Sequence, residues 1–225
     1  VDSTDIDHRF FYAARKTNGG IRLSDNFSQV AESPAFYGLS LESESRWRLV
    51  ETAWDLGVSR NVVKVEYDKD DDFLHTQDLS LKRVAITSSR GALNGYQKGK
   101  CFYCHCDVSI QEQTDNLADV DHFFPHRLKV CADGKPVDGV ANLVLACKDC
   151  NRGVNGKFDR IPSVRLLERL HARNEYLISS HHPLRETLML QTGLNEKQRQ
   201  RFLQDAYDCS SLAIVHKWEP ESRGS

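Results

Sequence analysis

The residues best suited to chemistry are two cysteine pairs and an acid–base pair that lies between them. The cysteine pairs are CFYC at 101–104 and CKDC at 147–150. Asp121 and His122 are adjacent within the sequence DVDHFFPH. A neutral imidazole titrates at about pH 6.5 and can accept a proton, and a carboxylate can hold a hard divalent cation. These residue types predict a metal site together with a general base.

The spacing of the cysteines predicts a structural zinc site. One CxxC turn brings two thiolates to one metal, and two such turns complete a tetrahedral site that leaves no coordination position open. Cys106 could compete with Cys104, but Cys104 completes the CxxC pair and ranks higher. Cys131 and Cys209 are interpreted as packing residues. The predicted zinc ligands are Cys101, Cys104, Cys147 and Cys150.

The chain between the cysteine pairs must position the acid–base pair. Residues 117–125 are apolar-rich and extended in character, and residues 129–139 contain two Asp-Gly steps typical of a loop. Residues 142–147 read as a short buried strand. Residues 150–162 start a turn or short helix that stops before Pro162. The predicted order is strand, loop, strand and helix, with the zinc site at the outer ends.

The sequences CFYC, DVDHFFPH and NLVLACKDCN, followed by a lysine, resemble the HNH endonucleases of the ββα-metal superfamily in their zinc-stapled form. The resemblance covers residues 99–162 and implies an α+β fold with a ββα-metal core. By this resemblance His122 is the first H and Asn142 is the N. Asn151 takes the third position, where many members have histidine.

The resemblance implies a phosphodiester hydrolase, and the residue types suit that chemistry. His122 is the implied general base, and Asn142 orients its ring through a hydrogen bond, directly or through the backbone. Asp121 and Asn151 supply oxygens to a catalytic Mg²⁺ or Mn²⁺ ion. Adjacent residues of a regular strand point to opposite faces, so Asp121 and His122 can share one site only if the strand bends or ends there. The resemblance implies that it does.

A basic stretch follows the predicted site. Residues 152–173 hold six basic against two acidic residues, a net charge of +4. Phosphate contacts of this kind position a nucleic acid backbone and carry little sequence information. The alternative is a solvated helix face. The predicted nucleic-acid contacts are Arg152, Lys157, Arg160 and Arg165.

The composition excludes several classes of protein. The chain has 225 residues, of which 40% are hydrophobic and 28% charged, so disorder is not expected. Its net charge is −2, so attraction to nucleic acid has to be local. No apolar run approaches the roughly 20 residues of a membrane span, and no signal peptide is visible. These features predict a cytoplasmic protein.

The flanking segments are predicted to be mostly helical. The N-terminal region, 1–98, contains predicted helices at 42–57, with Trp47, Val50 and Trp54 on one face, and at 80–97. A strand is predicted at 61–68, and the acidic residues 68–72 are predicted to form a solvated loop. The C-terminal region, 163–225, starts with a helix capped by Ser163 that runs to about residue 178. A second helix runs from Pro183 to Gly193, and Asn195 with Gln198 opens a third.

Two classes of function fit the sequence. The first is a metal-dependent nuclease that acts on DNA in preference to RNA. By analogy with small HNH proteins it would serve in bacterial restriction or anti-phage defence beside a regulatory or ATPase subunit. The second is a zinc-stabilised module that binds nucleic acid or protein and cuts nothing. The combination of Asp121, His122, Asn142 and Asn151 favours the nuclease, because a binding module has no use for a base beside a metal ligand.

Overall fold

The computed structural model describes residues 11–14, 19–33, 36, 38–55, 65–77, 83–125, 128 and 139–221. This part of the chain contains nine short strands and seven helices, so the fold class is α+β as predicted. The strands are β1 (Phe11–Ala14), β2 (Gly20–Leu23), β3 (Glu66–Asp68), β4 (Phe73–Gln77), β5 (Arg83–Ser88), β6 (Asp119–His122), β7 (Leu143–Ala146), β8 (Ile161–Pro162) and β9 (Lys217–Trp218). The helices are α1 (Asp25–Ala31), α2 (Leu39–Asp55), α3 (Ser89–Gln97), α4 (Lys148–Arg152), α5 (Val164–Ser179), α6 (Arg185–Thr192) and α7 (Glu196–Ala213).

The centre of the molecule is an antiparallel pair, β6 and β7, followed by the short helix α4. The two strands pair from Asp119 opposite Ala146 to His122 opposite Leu143. All four residues of β7 are buried, because the run LVLA is apolar and is covered on both faces. A 3₁₀ turn (Val140–Asn142) leads into β7, and the connection at 129–138 lies outside the described residues. The predicted order of strand, strand and helix is confirmed.

Side chains from the flanking helices bind the backbone of β7 directly. The Gln97 amide at the end of α3 donates to the Leu145 carbonyl (2.7 Å) and accepts from the Leu145 N–H (2.8 Å). Buried Arg173 on α5 donates to the carbonyls of Val140 and Leu143. One apolar core therefore contains residues from the N-terminal, central and C-terminal segments.

The remaining strands form three small sheets. Strands β3, β4 and β5 make an antiparallel sheet in that order, with an irregularity between Leu74 and His75. Strands β1 and β2 form a hairpin. Strand β8 pairs with β9 in parallel, which ties the end of the chain to the residues that precede α5.

The N-terminal segment differs from its prediction. Residues 83–88 form strand β5, and the helix predicted for 80–97 begins only at Ser89. The sequence RVAITS is rich in β-branched residues, which favour a strand over a helix. Five strands in total lie in a segment that was expected to be mostly helical. The helix predicted at 42–57 is present as α2, but Trp47 is 52% exposed, and Glu42, Ser45 and Leu49 face the interior instead.

The C-terminal segment follows its prediction closely. Ser163 precedes α5, but the prediction that it caps this helix is wrong, because its side chain makes no capping hydrogen bond and donates to Glu219 instead. Helix α6 lies within the predicted range of 183–193. Asn195 accepts a hydrogen bond from the Gln198 N–H (3.0 Å), and this side-chain cap opens α7. In the described part of the chain, no helix is both long and apolar enough to cross a lipid bilayer.

Candidate functional site

The four predicted zinc ligands form one cluster. The sulfur atoms of Cys101, Cys104, Cys147 and Cys150 all lie within 4.8 Å of one another. The two turns that hold them come from opposite ends of the β6–β7 segment and meet because the Phe102 N–H donates to the Leu145 carbonyl (2.8 Å). Four cysteines are therefore positioned to bind a metal ion, and their thiolates are the ligand set that Zn²⁺ prefers in closed structural sites.

Among the described residues, Cys106 and Cys209 are not part of this cluster. Cys106 is half-buried and is not part of the four-sulfur group, in agreement with the prediction that Cys104 is the ligand. Hydrogen bonds from Cys101 and Cys150 lower the pKa of the Cys147 thiol. The interpretation of Cys209 as a packing thiol is wrong, because this cysteine is disulfide-bonded. Cys131, interpreted in the same way, lies outside the described residues.

Helix α5 supports the first cysteine turn. The Arg169 guanidinium donates to the carbonyls of Phe102 (2.6 Å) and Tyr103 (2.9 Å), which lie between the two ligands of that turn. The same guanidinium lies 5.8 Å from the centre of the Phe102 ring. A turn without regular secondary structure is thus fixed in place by an element that follows the site in sequence.

His122 is the last residue of β6 and is 9% exposed. Its imidazole packs against the ring of Tyr67 in β3, with ring centroids 5.6 Å apart and an interplanar angle of 57°. The strand ends here, and an end or a bend of the strand at this point is what a site shared by Asp121 and His122 requires. Asp121, however, contacts other residues than His122 does.

Asn142 clamps the backbone that follows His122. Its side-chain carbonyl accepts from the Phe124 N–H (2.7 Å), and its amide donates to the Phe124 carbonyl (2.9 Å). Its own backbone carbonyl accepts from the Phe123 N–H (2.8 Å). Three hydrogen bonds of one residue therefore fix the turn after the histidine. The role predicted for Asn142, orientation of the His122 ring, stays a prediction.

Asp121 is buried between two donors. The Tyr103 hydroxyl donates to one carboxylate oxygen (2.5 Å) and the Lys157 ammonium to the other (3.2 Å). Burial raises the pKa of Asp121, while Lys157 and Tyr103 act in the opposite direction. Burial and the negative charge of Asp121 raise the pKa of Tyr103, so its hydroxyl remains a donor. The three side chains form a buried network with a paired charge at its centre.

Asn151 contacts a different carboxylate. Its amide donates to Asp119 (3.1 Å), which also accepts from Arg152 (2.9 Å). Asp119 lies two residues before Asp121, so the two carboxylates share one face of β6. This arrangement does not fit a magnesium ion between Asp121 and Asn151, because both Asp121 oxygens accept hydrogen bonds from buried donors and the Asn151 amide is bonded to Asp119.

Lys157 is not on the surface where the nucleic-acid prediction placed it. Its side chain is 1% exposed and its ammonium also donates to the Phe158 carbonyl (3.0 Å). A phosphate cannot reach an ammonium at this position without displacing Asp121. The role of Lys157 in this structure is therefore to pair with Asp121.

This pair gives a first testable prediction. Lys157→Met leaves the Asp121 carboxylate buried without its cation and should lower the free energy of unfolding by about 3–5 kcal/mol at pH 8. The substitution raises the pKa of Asp121 further above its unfolded value, so the loss is full above the new pKa and shrinks as the pH falls and the carboxyl is protonated. Urea unfolding at pH 8 and pH 5.5 measures both effects.

The control for that experiment is Lys100→Met. Lys100 pairs with Asp107 at 2.6 Å, but both side chains are about half exposed, so the loss should stay below about 1 kcal/mol at either pH. Equal losses for the Lys157 variant at both pH values would contradict the pairing of its ammonium with an ionised Asp121.

The other predicted nucleic-acid residues all have intramolecular partners. Arg160 donates to the Gly156 and Lys157 carbonyls, and it is half-buried. Arg152 binds Asp119, and Arg165 binds Glu219 (2.8 Å). The side chains of Arg152 and Arg165 remain 60% and 55% exposed, and surface ion pairs of this kind are weak enough to exchange for a phosphate. Arg152 and Arg165 therefore remain the predicted contacts to nucleic acid.

Three residues in and around the site were not predicted from the sequence. Asp119 could have been found, because the two-residue period of a strand places it beside Asp121. Tyr103 lies inside the CFYC motif, but the cysteine spacing gives no sign of a role for its hydroxyl. Tyr67 carries no local signal, since only the fold brings β3 against His122.

The described residues contain a second group that could hold a cation, on the β3–β4 hairpin. Asp68, Asp71 and His75 have ligand atoms within 4.8 Å of one another. The His75 Nε2 atom lies 2.8 Å from an Asp71 oxygen, which is an ordinary hydrogen-bond distance. His75 and Asp71 therefore satisfy each other, and the group is a hydrogen-bonded pair beside a second carboxylate, that of Asp68.

Comparisons of the chain with protein-family models, with curated proteins and with solved structures each found no match.

Proposed function

We propose that the chain is an endonuclease of the HNH type that hydrolyses phosphodiester bonds, with DNA as the favoured substrate and His122 as the general base. The proposal is carried by one observation: His122 ends strand β6 at the point where Asn142 clamps the following backbone. A base must be held in a fixed position relative to the attacking water, and this clamp supplies the rigidity.

In the proposed reaction, the neutral His122 imidazole removes a proton from a water molecule. The resulting hydroxide adds to phosphorus while the bond to the leaving oxygen breaks. The leaving oxygen takes a proton from solvent, and the imidazolium later returns its proton to solvent. The four-cysteine cluster has no part in these steps. It holds together the two ends of the segment that carries β6, β7 and α4.

The catalytic cation of the proposal rests on the resemblance to HNH endonucleases. A bound Mg²⁺ or Mn²⁺ would neutralise charge that develops on the phosphate and on the leaving oxygen. The present contacts of Asp121 and Asn151 do not fit such an ion, so binding at these residues requires Lys157 to release Asp121.

The test of the proposed function is a metal titration of cleavage, with zinc content measured in parallel. The purified protein is incubated with plasmid DNA and with RNA after a brief treatment with EDTA. We expect cleavage to stop, zinc to remain bound, and added Mg²⁺ or Mn²⁺ to restore activity, because a four-thiolate site exchanges slowly whereas a few oxygen ligands bind a divalent ion weakly. Asp121→Ala and Asn151→Ala should both lose activity.

Asp119→Ala is the comparison variant, because Asp119 is the carboxylate that Asn151 contacts. A greater loss of cleavage activity in this variant than in Asp121→Ala would indicate that the cation binds at Asp119 and Asn151. Activity that follows zinc occupancy and ignores Mg²⁺ would show that the proposed oxygen site is wrong.

A zinc-stabilised binding module is the second candidate. The observation that favours it is the engagement of both Asp121 oxygens by buried donors, which leaves the acid–base pair of the sequence without an open carboxylate. Nucleic-acid binding without cleavage under any metal would support this candidate. In that case Arg152→Ala with Arg165→Ala should weaken binding and reduce its dependence on salt.

A further inference from the structure

The hairpin of β3 and β4 contacts the proposed base from outside the central segment. Tyr67 and Leu74 pair across the two strands, and their side chains are buried. Asp68 and Asp71 belong to the polar, partly exposed side of the same hairpin. The buried side brings the Tyr67 ring to the His122 imidazole.

The Tyr67 ring is held by its hydroxyl. That hydroxyl donates to one oxygen of Asp72 (2.7 Å), while Arg90 donates to the other oxygen (2.6 Å). Burial, followed by the hydrogen bond to Asp72, raises the pKa of Tyr67, so the hydroxyl keeps its proton and remains the donor. Asp72 itself has a positive φ of 57°, a conformation that costs free energy unless its contacts enforce it.

Two hydrogen bonds to the Asp72 carbonyl enforce that conformation. They come from the backbone N–H (3.0 Å) and the hydroxyl (2.8 Å) of Ser89, the first residue of α3. Asp72 thus joins the hairpin to α3 through its backbone and to Tyr67 and Arg90 through its side chain.

Arg90 closes the path back to the proposed base. Its Nε donates to the Ala118 carbonyl (2.7 Å), immediately before β6, and β6 ends at His122. The contacts therefore form a ring of Tyr67, Asp72, Arg90, the start of β6, and His122. This closed set of contacts restrains the imidazole of His122 in two ways, through its backbone and through its contact with the Tyr67 ring.

We infer that Tyr67 is a positioning residue for His122, and that the N-terminal hairpin is a working part of the active site. This inference rests on the proposed function. The aromatic ring fixes the orientation of the imidazole, and the hydrogen bond to Asp72 fixes the ring. The resemblance to HNH endonucleases covers residues 99–162 and includes none of these hairpin residues.

The test compares two substitutions of Tyr67. Tyr67→Leu fills the space with an apolar side chain and removes the ring, so kcat should fall about tenfold while KM stays nearly unchanged, as expected for a misplaced base. Tyr67→Phe keeps the ring and should retain at least about a third of the parent kcat. Tyr176→Leu is the control, because Tyr176 pairs with Tyr96 and should leave kcat unchanged.

A spectroscopic measurement separates this inference from the proposed function. The imidazole proton resonances of His122, assigned by their absence in His122→Ala, should shift in Tyr67→Leu and stay close to the parent values in Tyr67→Phe, because only the leucine variant loses the ring current. Unshifted resonances, or a leucine variant that cleaves at the parent rate, would overturn the positioning role. If the parent protein cleaves nothing, the proposed function and with it the positioning role of Tyr67 are wrong. Shifted resonances would in that case still establish the contact between Tyr67 and His122.

Discussion

Cys147→Ser is expected to leave the central segment unfolded. The substitution removes one of four thiolates from the cluster formed by Cys101, Cys104, Cys147 and Cys150. Structural zinc sites bind with an apparent free energy of about 10–16 kcal/mol, which is as large as the whole stability of a typical domain, about 5–15 kcal/mol. Loss of the ion should therefore remove the ordered turn that carries Phe102 and the pairing of β6 with β7.

The measurements are zinc content by elemental analysis and structure by circular dichroism and limited proteolysis. The parent should carry about one zinc ion per chain, and the serine variant close to none. Cys106→Ser is the matched control, since Cys106 is adjacent to the cluster but not part of it. A well-folded parent that contains no zinc would disprove the structural metal site.

His122→Ala is expected to abolish cleavage without changing the fold. Removal of a general base costs typically about 10²- to 10⁴-fold in rate. The zinc ligands lie on other residues, and Asn142 makes its three hydrogen bonds to Phe123 and Phe124, so zinc content and thermal stability should change little. Single-turnover cleavage of labelled DNA, together with a binding assay, separates lost chemistry from lost affinity.

His105→Ala is the control for this experiment. His105 is exposed on the first cysteine turn, and the positive charges of Arg169, Arg165 and Lys100 add to burial in lowering its pKa. Its replacement should leave the cleavage rate near the parent value. If His122→Ala cleaves as fast as the parent, the general base is another residue and the proposed mechanism is wrong.

Local patterns in the sequence predicted what depends on spacing. The CxxC pairs define the metal cluster because each tight turn brings two sulfurs together, whatever surrounds it. The cap at Asn195 was predicted for the same reason, since a cap depends on residues three positions apart. The helix after Ser163 is present, but Ser163 does not cap it. The buried run LVLA predicted strand β7.

Features that depend on tertiary contacts were not predictable in this way. Lys157 looked like a surface cation, but the buried carboxylate of Asp121 draws it inside. The contact of Tyr67 with His122 joins two distant parts of the chain, and neither residue carries a local sign of the other.

The Gln97 amide has a consequence for the solubility of the fold. A two-stranded sheet has two outer edges, and each is a row of unpaired backbone groups on which another chain could add a strand. On β7, the Gln97 side chain bonds both the N–H and the carbonyl of Leu145, and Phe102 adds a third backbone bond there. The apolar strand β7 therefore offers no free hydrogen-bonding edge at Leu145. The Gln97 side chain occupies the position at which a strand of another chain would pair, and so opposes aggregation through β7.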